Sequence, residues 1–232
     1  MRGLLTLIVV LAIALVAGDR IAVVLVQNEI GRRIASEYQL SARPAVDING
    51  FPFLTQAVDG TYGDIDIRVG DWTDKQITVH NLDVTLDKVS APLGDIANNR
   101  TENLVAATAT ATALVPYTTV QPYAPAGVES ISNGQNGLDV TGTFTVGGIP
   151  IPATVVVTVA PTDDGIQITP VSVQAAAGGP MIPLALLRDT LTFTVPLQQL
   201  PVGAKLTSIQ PTPAGLQVTA VAHNVHFSDL PK

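Results

Sequence analysis

The stretch QITVHNLDVTL, residues 76–86, alternates apolar and polar side chains along its length. The shorter stretch DIDIRV, residues 64–69, does the same. Because successive side chains of a β-strand point to opposite faces, this two-residue period predicts strands with one dry face and one solvated face. Such strands are typical of antiparallel sheets.

The chain continues beyond residue 100 as a series of segments rich in Val, Ile, Thr and Ala. Glycine-containing pairs such as Asn133-Gly134 and Asp164-Gly165 separate several of them, and Asp-Gly between alternating segments is a good hairpin signal. The pattern therefore predicts an antiparallel meander, arranged as a curved sheet, barrel or half-barrel. The predicted strands are residues 104–114, 137–146, 153–160, 165–173, 191–197, 205–209 and 216–227.

Residues 21–38 have a different period, in which apolar side chains recur every three to four positions. This spacing predicts one long amphipathic helix that comes before the strands. A long N-terminal helix together with an antiparallel sheet places the chain in the α+β class. The apolar stripe of the helix consists of Val23, Val26, Ile30, Ile34 and Tyr38.

The N-terminus carries an export signal. Arg2 precedes an uncharged apolar run from Leu4 to Ala17, and Asp19 and Arg20 follow it. The run has the length of a signal-peptide core and is short for a full membrane span. Residues 21–26 are apolar again, however, and lengthen the segment into a possible transmembrane helix.

Two fates of residues 1–18 follow, a cleaved signal peptide or a retained N-terminal membrane anchor. Residues 19–232 form a single domain in either case, with a candidate seam between two lobes at residues 122–127. The expected location is the cell envelope or periplasm, with the protein either released or tethered to the plasma membrane.

The charge balance limits the partners. Lys and Arg total 12 against 19 Asp and Glu, the formal net charge is -7, and no basic cluster is present. Nucleic acid is therefore excluded as an expected partner, and electrostatic attachment to anionic headgroups is disfavoured. A thin charged surface, at 13% of residues, favours apolar contact with lipid. Without cysteine, the chain can form neither disulfides nor thiolate metal sites.

No motif for catalysis, metal binding or cofactor binding stands out. His223 and His226 are three residues apart in a predicted strand, which places their side chains on opposite faces. Asp64 and Asp66 share one strand face, but no nucleotide-binding pattern accompanies them. A Gly-x-Ser-x-Gly nucleophile elbow is also absent. We predict that the protein is not an enzyme and has no cofactor.

The segment GFPFLTQ, residues 50–56, places two of the five phenylalanines around a proline in an aromatic-poor chain. With this segment soon after an export sequence and a helix, the chain resembles the actinobacterial LmeA-like phospholipid-binding family over residues 20–228. Shorter matches in the same order support the resemblance. They are GTY at 60–62, APL at 91–93, VPY at 115–117, LPVG at 200–203 and GLQV at 215–218.

The resemblance implies a long helix wrapped by an elongated, curved antiparallel sheet, similar to tubular lipid-binding folds. It also implies a periplasmic protein whose apolar interior accepts the acyl chains of phospholipids or related membrane amphiphiles. One member is tied to mannan elongation in envelope lipoglycans, so a role in lipoglycan or envelope lipid assembly is an expectation. The family supplies no headgroup or catalytic motif to transfer.

The residues support a lipid cavity on their own terms. Strands of Val, Thr, Ala and Ile lack large side chains to fill a core, so an acyl chain could complete it. The candidate lipid-facing residues are Ile30, Ile34, Phe51, Phe53, Leu54, Leu184 and Leu187. Two alternatives remain open at this point, an exported scaffold or adhesion module with a filled core and an envelope hydrolase. The two phenylalanines could equally plug one end of a sheet, and residues 180–189 could be a buried connector.

Overall fold

The computed structural model describes residues 2–74, 77–98, 100–146, 148–162, 165–175, 192–196 and 200–230. Within them the α-helices are α1 (Arg2–Glu37), α2 (Phe53–Asp59), α3 (Leu93–Ala97) and α4 (Tyr117–Val120). Short 3-10 turns lie at Gln121–Tyr123, Pro201–Gly203 and Phe227–Asp229. The strands are β1 (Ala45–Ile48), β2 (Thr61–Asp74), β3 (Ile77–Ser90), β4 (Val105–Val115), β5 (Val128–Gly134), β6 (Gly137–Val146), β7 (Ile149–Thr162), β8 (Gly165–Ala175), β9 (Phe193–Pro196), β10 (Lys205–Thr212) and β11 (Gly215–His226).

The strands form two open antiparallel sheets, and no closed barrel is found in the described part of the chain. The six-stranded sheet has the order β1-β2-β3-β4-β11-β10, and the five-stranded sheet has the order β5-β6-β7-β8-β9. Helix α1 and these sheets confirm the predicted α+β class. The second sheet is a simple meander, as the regularly spaced turn residues predicted.

Contacts between residues divide the chain into two compact units. Unit 1 consists of residues 1–70, 83–111 and 222–232, and unit 2 consists of residues 71–82 and 112–221. Each unit has its own buried residues. The seam predicted at residues 122–127 stays a prediction, and these residues belong to unit 2.

The described residues of unit 2 contain a hydrophobic core. Phe144 and Leu138 of β6 pack with Val155 and Val157 of β7, and Val155 is completely buried. Leu216 of β11 joins the same cluster, and partly buried Val and Ile side chains surround it. Side chains of β6, β7, β10 and β11 therefore share one buried cluster.

Helix α1 has two parts with different surroundings. From Leu4 to Val16 its large apolar side chains are all exposed, by 47% to 67%. From Asp19 onward one face is packed, since Asp19, Val23 and Gly31 are buried and lie four and eight residues apart. This face contacts β1 and α2. The helix begins at Arg2 and not near residue 21, so the packed helix and the apolar segment are one continuous element.

Three polar residues with positive φ interrupt the alternation of the long strands. Asn81 and Lys88 in β3 and Asn224 in β11 have φ angles of 51°, 50° and 51°. At each one the apolar positions shift by one residue, for example from Val79 to Leu82. A residue in the left-handed region inserts one extra position, as a β-bulge does, and keeps the apolar side chains on one face.

Gly31 allows the chain after α1 to pass close to the helix. A Cβ at this position would lie 2.7 Å from the carbonyl oxygen of Pro44, whereas a Cβ at Gly18 would meet nothing within 4 Å. We expect Gly31→Val to lower the free energy of unfolding by about 1–3 kcal/mol, because the helix must move away from the backbone of residue 44. The matched variant Gly18→Val should change it far less. Chemical unfolding of both variants, followed by circular dichroism, measures the difference, and equal stability would contradict this packing.

Candidate functional site

The N-terminus of α2 is capped by an acidic side chain from α1. Pro52 precedes α2 and provides no side-chain cap, so the first amides of this helix need another acceptor. The Leu54 amide donates a hydrogen bond to Oδ1 of Asp19 at 2.8 Å. Asp19 is only 2% exposed, and its other oxygen pairs with the Arg20 guanidinium at 2.5 Å. The Asp19 carboxylate therefore fastens α2 to α1.

Side-chain hydrogen bonds hold the turn before α2 in one shape. The Gln56 amide donates from Nε2 to the carbonyl oxygen of Asn49 at 3.2 Å, and its Oε1 accepts from the Gly63 amide at 3.3 Å. The Thr55 hydroxyl donates to the carbonyl oxygen of Pro52 at 2.8 Å. These bonds explain the Thr-Gln end of the GFPFLTQ segment, to which the sequence alone had given no separate role.

The two phenylalanines of this segment have different surroundings. Phe53 is 3% exposed and packs on Tyr62, with the ring centroids 6.2 Å apart and the planes at 33°. Burial also raises the pKa of Tyr62, which keeps its hydroxyl neutral. Phe51 is 61% exposed, and the Arg20 guanidinium lies 5.1 Å from the centre of its ring. One ring thus belongs to the core and the other to the surface.

The structure brings only some of the predicted lipid-facing residues together. Phe51 and Leu54 are exposed beside Asp19 and Arg20 of α1. Ile30 and Ile34 are half-buried further along α1, at least ten residues after Arg20. Leu184 and Leu187 lie outside the described residues. The positions of these residues do not show whether any of them contacts lipid. The assignment of all seven residues therefore stays a prediction.

Unit 1 also contains a partly covered apolar sheet face. Thr85 of β3 donates to Asp66 of β2 at 2.8 Å, so these two polar residues share one face of the sheet. Alternation then places Ile65 and Ile67 of β2 on the opposite face, together with Val84 and Leu86 of β3. We call these four residues with Val69 the apolar face of unit 1.

Burial decreases across this face. In the β1–β2 register Ile48 lies opposite Ile65 and Val46 lies opposite Ile67. Ile48 of β1, Ile65 of β2 and Leu86 of β3 are buried, with 5%, 8% and 7% of their surface exposed. Ile67 and Val84 are only half-buried. The face is therefore covered at Ile65 and Leu86 and partly open at Ile67 and Val84.

A shallow depression lies next to the start of β2. Its volume is about 340 Å³, near the lower end of the range for ligand pockets, and it is open to solvent. Tyr62 and Val89 form an apolar wall, and Lys88 supplies one positive charge at its edge. The full lining is Gln56, Thr61, Tyr62, Gly63, Lys88, Val89 and Ser90.

Groups that would indicate metal chemistry are not seen in the part of the chain that the structure describes. Among those residues no cluster of three or more His, Cys, Asp or Glu side chains could hold a metal ion. His223 lies 3.4 Å from the Thr108 hydroxyl and is exposed. Its surroundings are those of a surface histidine.

Sequence reasoning missed the roles of Asp19, Arg20 and Val58. The first two had been noted only as an interruption of the apolar segment, although a carboxylate in such a segment needs a partner. Val58 lies one helical turn after Leu54 in α2 and is 77% exposed. The spacing Leu54 to Val58 was the available signal for a second apolar position on that helix.

The cap is tested by Asp19→Ala. This change leaves the Leu54 amide without its acceptor and should lower the stability of the α1–α2 contact by about 1–2 kcal/mol. Hydrogen exchange of the Leu54 amide should then become about tenfold faster. The control is Glu37→Ala, which removes an exposed acid from the end of the same helix. An unchanged exchange rate in Asp19→Ala would show that the bond does not hold α2.

The comparisons with known proteins give one match. A family model described as LmeA-like phospholipid-binding matches residues 17–221, which is most of the chain. No curated protein and no solved structure matches the chain. The matched region begins two residues before Asp19, the first buried residue of α1. The chain belongs to the LmeA-like phospholipid-binding family.

Proposed function

We propose that this member of the LmeA-like phospholipid-binding family binds phospholipid, or a related amphiphile, by its acyl chains in the cell envelope. The observation that carries the proposal is the partly open apolar face of unit 1. The apolar face of unit 1 is only half-buried at Ile67 and Val84. Apolar surface therefore remains at these positions for a ligand to cover. The family match supplies the class of that ligand.

The energetics favour acyl chains over headgroups as the main source of affinity. Burying a methylene contributes roughly 0.8 kcal/mol, so ten methylenes contribute about 8 kcal/mol before the costs of association. The described surface near the apolar face offers few cations. We assign Lys88, at the edge of the depression, as the cation that would contact the phosphate group of a bound headgroup.

Unit 1 is a better place for the lipid than unit 2. The core of unit 2 is occupied by its own side chains, including Phe144 and the fully buried Val155. A filled core of this kind is what the scaffold or adhesion alternative would require of the whole chain. Coverage in unit 1 ends partway along the apolar face, and the neighbouring strand β4 consists of Ala, Thr and Val except for one Leu.

The proposed role is non-catalytic and local to the envelope. The protein would bind or carry phospholipid during lipoglycan or envelope lipid assembly, without forming or breaking a covalent bond. The packed contact of α1 with β1 and α2 begins at Asp19, so both a released and a tethered form would keep the whole binding unit. We propose the tethered form, because the apolar residues 21–26 continue the segment past Asp19 and Arg20 and give it the length to span a bilayer.

The binding surface is tested by a matched pair of tryptophan substitutions in β3. Val84→Trp fills the apolar face and should reduce co-purified phospholipid by several-fold, because the ring takes the place of acyl methylenes. Asp83→Trp adds the same ring on the exposed, opposite face and should leave lipid content unchanged. Lipid extraction and native mass spectrometry give the stoichiometry, and circular dichroism checks the fold. Equal lipid content in the two variants would refute this location.

The tether is tested by the N-terminus of the mature protein. We expect protein recovered from the membrane fraction to retain residues 1–18, and its intact mass to equal that of the full chain. By length and composition α1 could cross a membrane, although a signal sequence satisfies the same criterion. A mature chain that begins near Asp19 would establish cleavage and a released form.

A further inference from the structure

The apolar part of α1 is too short to cross a bilayer if it ends where the fold begins. Leu4 to Gly18 measures about 22 Å at 1.5 Å per residue, against a hydrocarbon core of about 30 Å. Ile21, Val24 and Leu25 are also apolar and 51% to 65% exposed. Extending the segment to Val26 gives about 34 Å, which is enough to cross the core. The first polar run after it is Gln27-Asn28-Glu29.

The packed part of the protein already begins within this longer segment. Asp19 lies seven residues before Val26, or about 10 Å along the helix axis. The turn before α2 contacts α1 at this level, through the Leu54–Asp19 hydrogen bond and the Arg20–Phe51 contact. If α1 spans the bilayer as far as Val26, the turn and α2 must lie within the membrane boundary.

Apolar side chains of α2 and of the turn before it are exposed at the level of Asp19, as a location within the membrane boundary requires. Phe51, Leu54 and Val58 are exposed by 61%, 44% and 77%, and we call them the α2 patch. Leu54 and Val58 are one turn apart on the same side of α2. Solitary exposed apolar residues are ordinary, but here Phe51 and Leu54 are held against Arg20 and Asp19 of α1, and Val58 follows Leu54 by one helical turn.

The polar groups near the patch have partners that suit a membrane boundary. Asp19 is buried and bonded to the Leu54 amide and to Arg20. The Arg20 side chain is 47% exposed and lies against the Phe51 ring, an arrangement that lets its charged end reach the headgroups. The charge that the α2 sequence itself carries, Asp59, is at its C-terminal end.

We propose that the α2 patch, Phe51, Leu54 and Val58, inserts into the lipid bilayer beside α1. Two apolar side chains of the short helix α2 and one from the turn before it would reach the boundary between headgroups and acyl chains, where interfacial helices place their apolar faces. Unit 1 is then held against the membrane from which its lipid comes. The inference rests on the membrane tether proposed above, and it does not depend on acyl-chain binding at β2 and β3.

Because the chain contains no cysteine, a single cysteine can be introduced and labelled at a chosen position, and the depth of that position in the bilayer can be measured. Leu54→Cys, Val58→Cys, Asp59→Cys and Leu11→Cys are each introduced into the full chain and labelled with the fluorophore NBD. The labelled proteins are reconstituted into phosphatidylcholine vesicles with or without doxyl-labelled phospholipid, a quencher fixed in the bilayer. Leu11 reports whether α1 is in the membrane. Asp59 is the control, since it is the exposed polar neighbour of Val58 on the same helix.

The expected result is at least twofold quenching by shallow doxyl lipid at positions 54 and 58, with little quenching at 59. Position 11 should be quenched by deep doxyl lipid. Quenching at 11 without quenching at 54 and 58 would overturn the inference and leave the tether intact. Absent quenching at 11 would overturn the tether and the inference together. Blue-shifted emission at 54 and 58 without doxyl quenching would mean that protein covers the patch, which also overturns the inference.

Discussion

The hydrogen bond from the Leu54 amide to the Asp19 carboxylate joins two helices across 35 residues of sequence. It satisfies an orphan amide at the start of α2 and gives a buried carboxylate its partner, so each group removes the other's desolvation cost. The Phe51 turn, the α2 patch and the Phe53–Tyr62 contact all depend on where α2 is held. Without this bond, the buried acid in the apolar stretch of α1 would keep its ion pair with Arg20 but would lose its hydrogen bond to α2.

The period of the strands and helices was readable from the sequence because it is a local property. The two-residue alternation predicted β2 and β3, and the glycine-containing turns predicted the hairpins of the second sheet. Even the shifts of alternation at Asn81 and Asn224 are visible in the sequence, where an asparagine stands between two phases of apolar residues. They were interpreted as uninterrupted alternation because a single strand gives no reason to expect a bulge.

The partners across long sequence distances were not readable in the same way. Nothing local indicates that Asp19 caps a helix that begins at Phe53, or that Gly31 admits the backbone of Pro44. The GFPFLTQ segment was recognised from the sequence. The different roles of its two phenylalanine rings became clear only from how deeply each ring is buried. Phe53 was predicted to face lipid together with Phe51, and only their surroundings show that one is in the core and the other at the surface.

Under the two proposals, the two apolar surfaces of unit 1 would serve different steps of one task. The apolar face of β2 and β3 would hold the acyl chains, whereas the α2 patch would hold the unit in the membrane beside α1. A phospholipid that leaves a bilayer for water exposes its methylenes, at roughly 0.8 kcal/mol each, and this cost dominates the barrier to transfer. A binding unit held in the membrane boundary shortens or removes that exposure. The same Asp19 bond that stabilises the fold would thereby set the distance that a lipid travels.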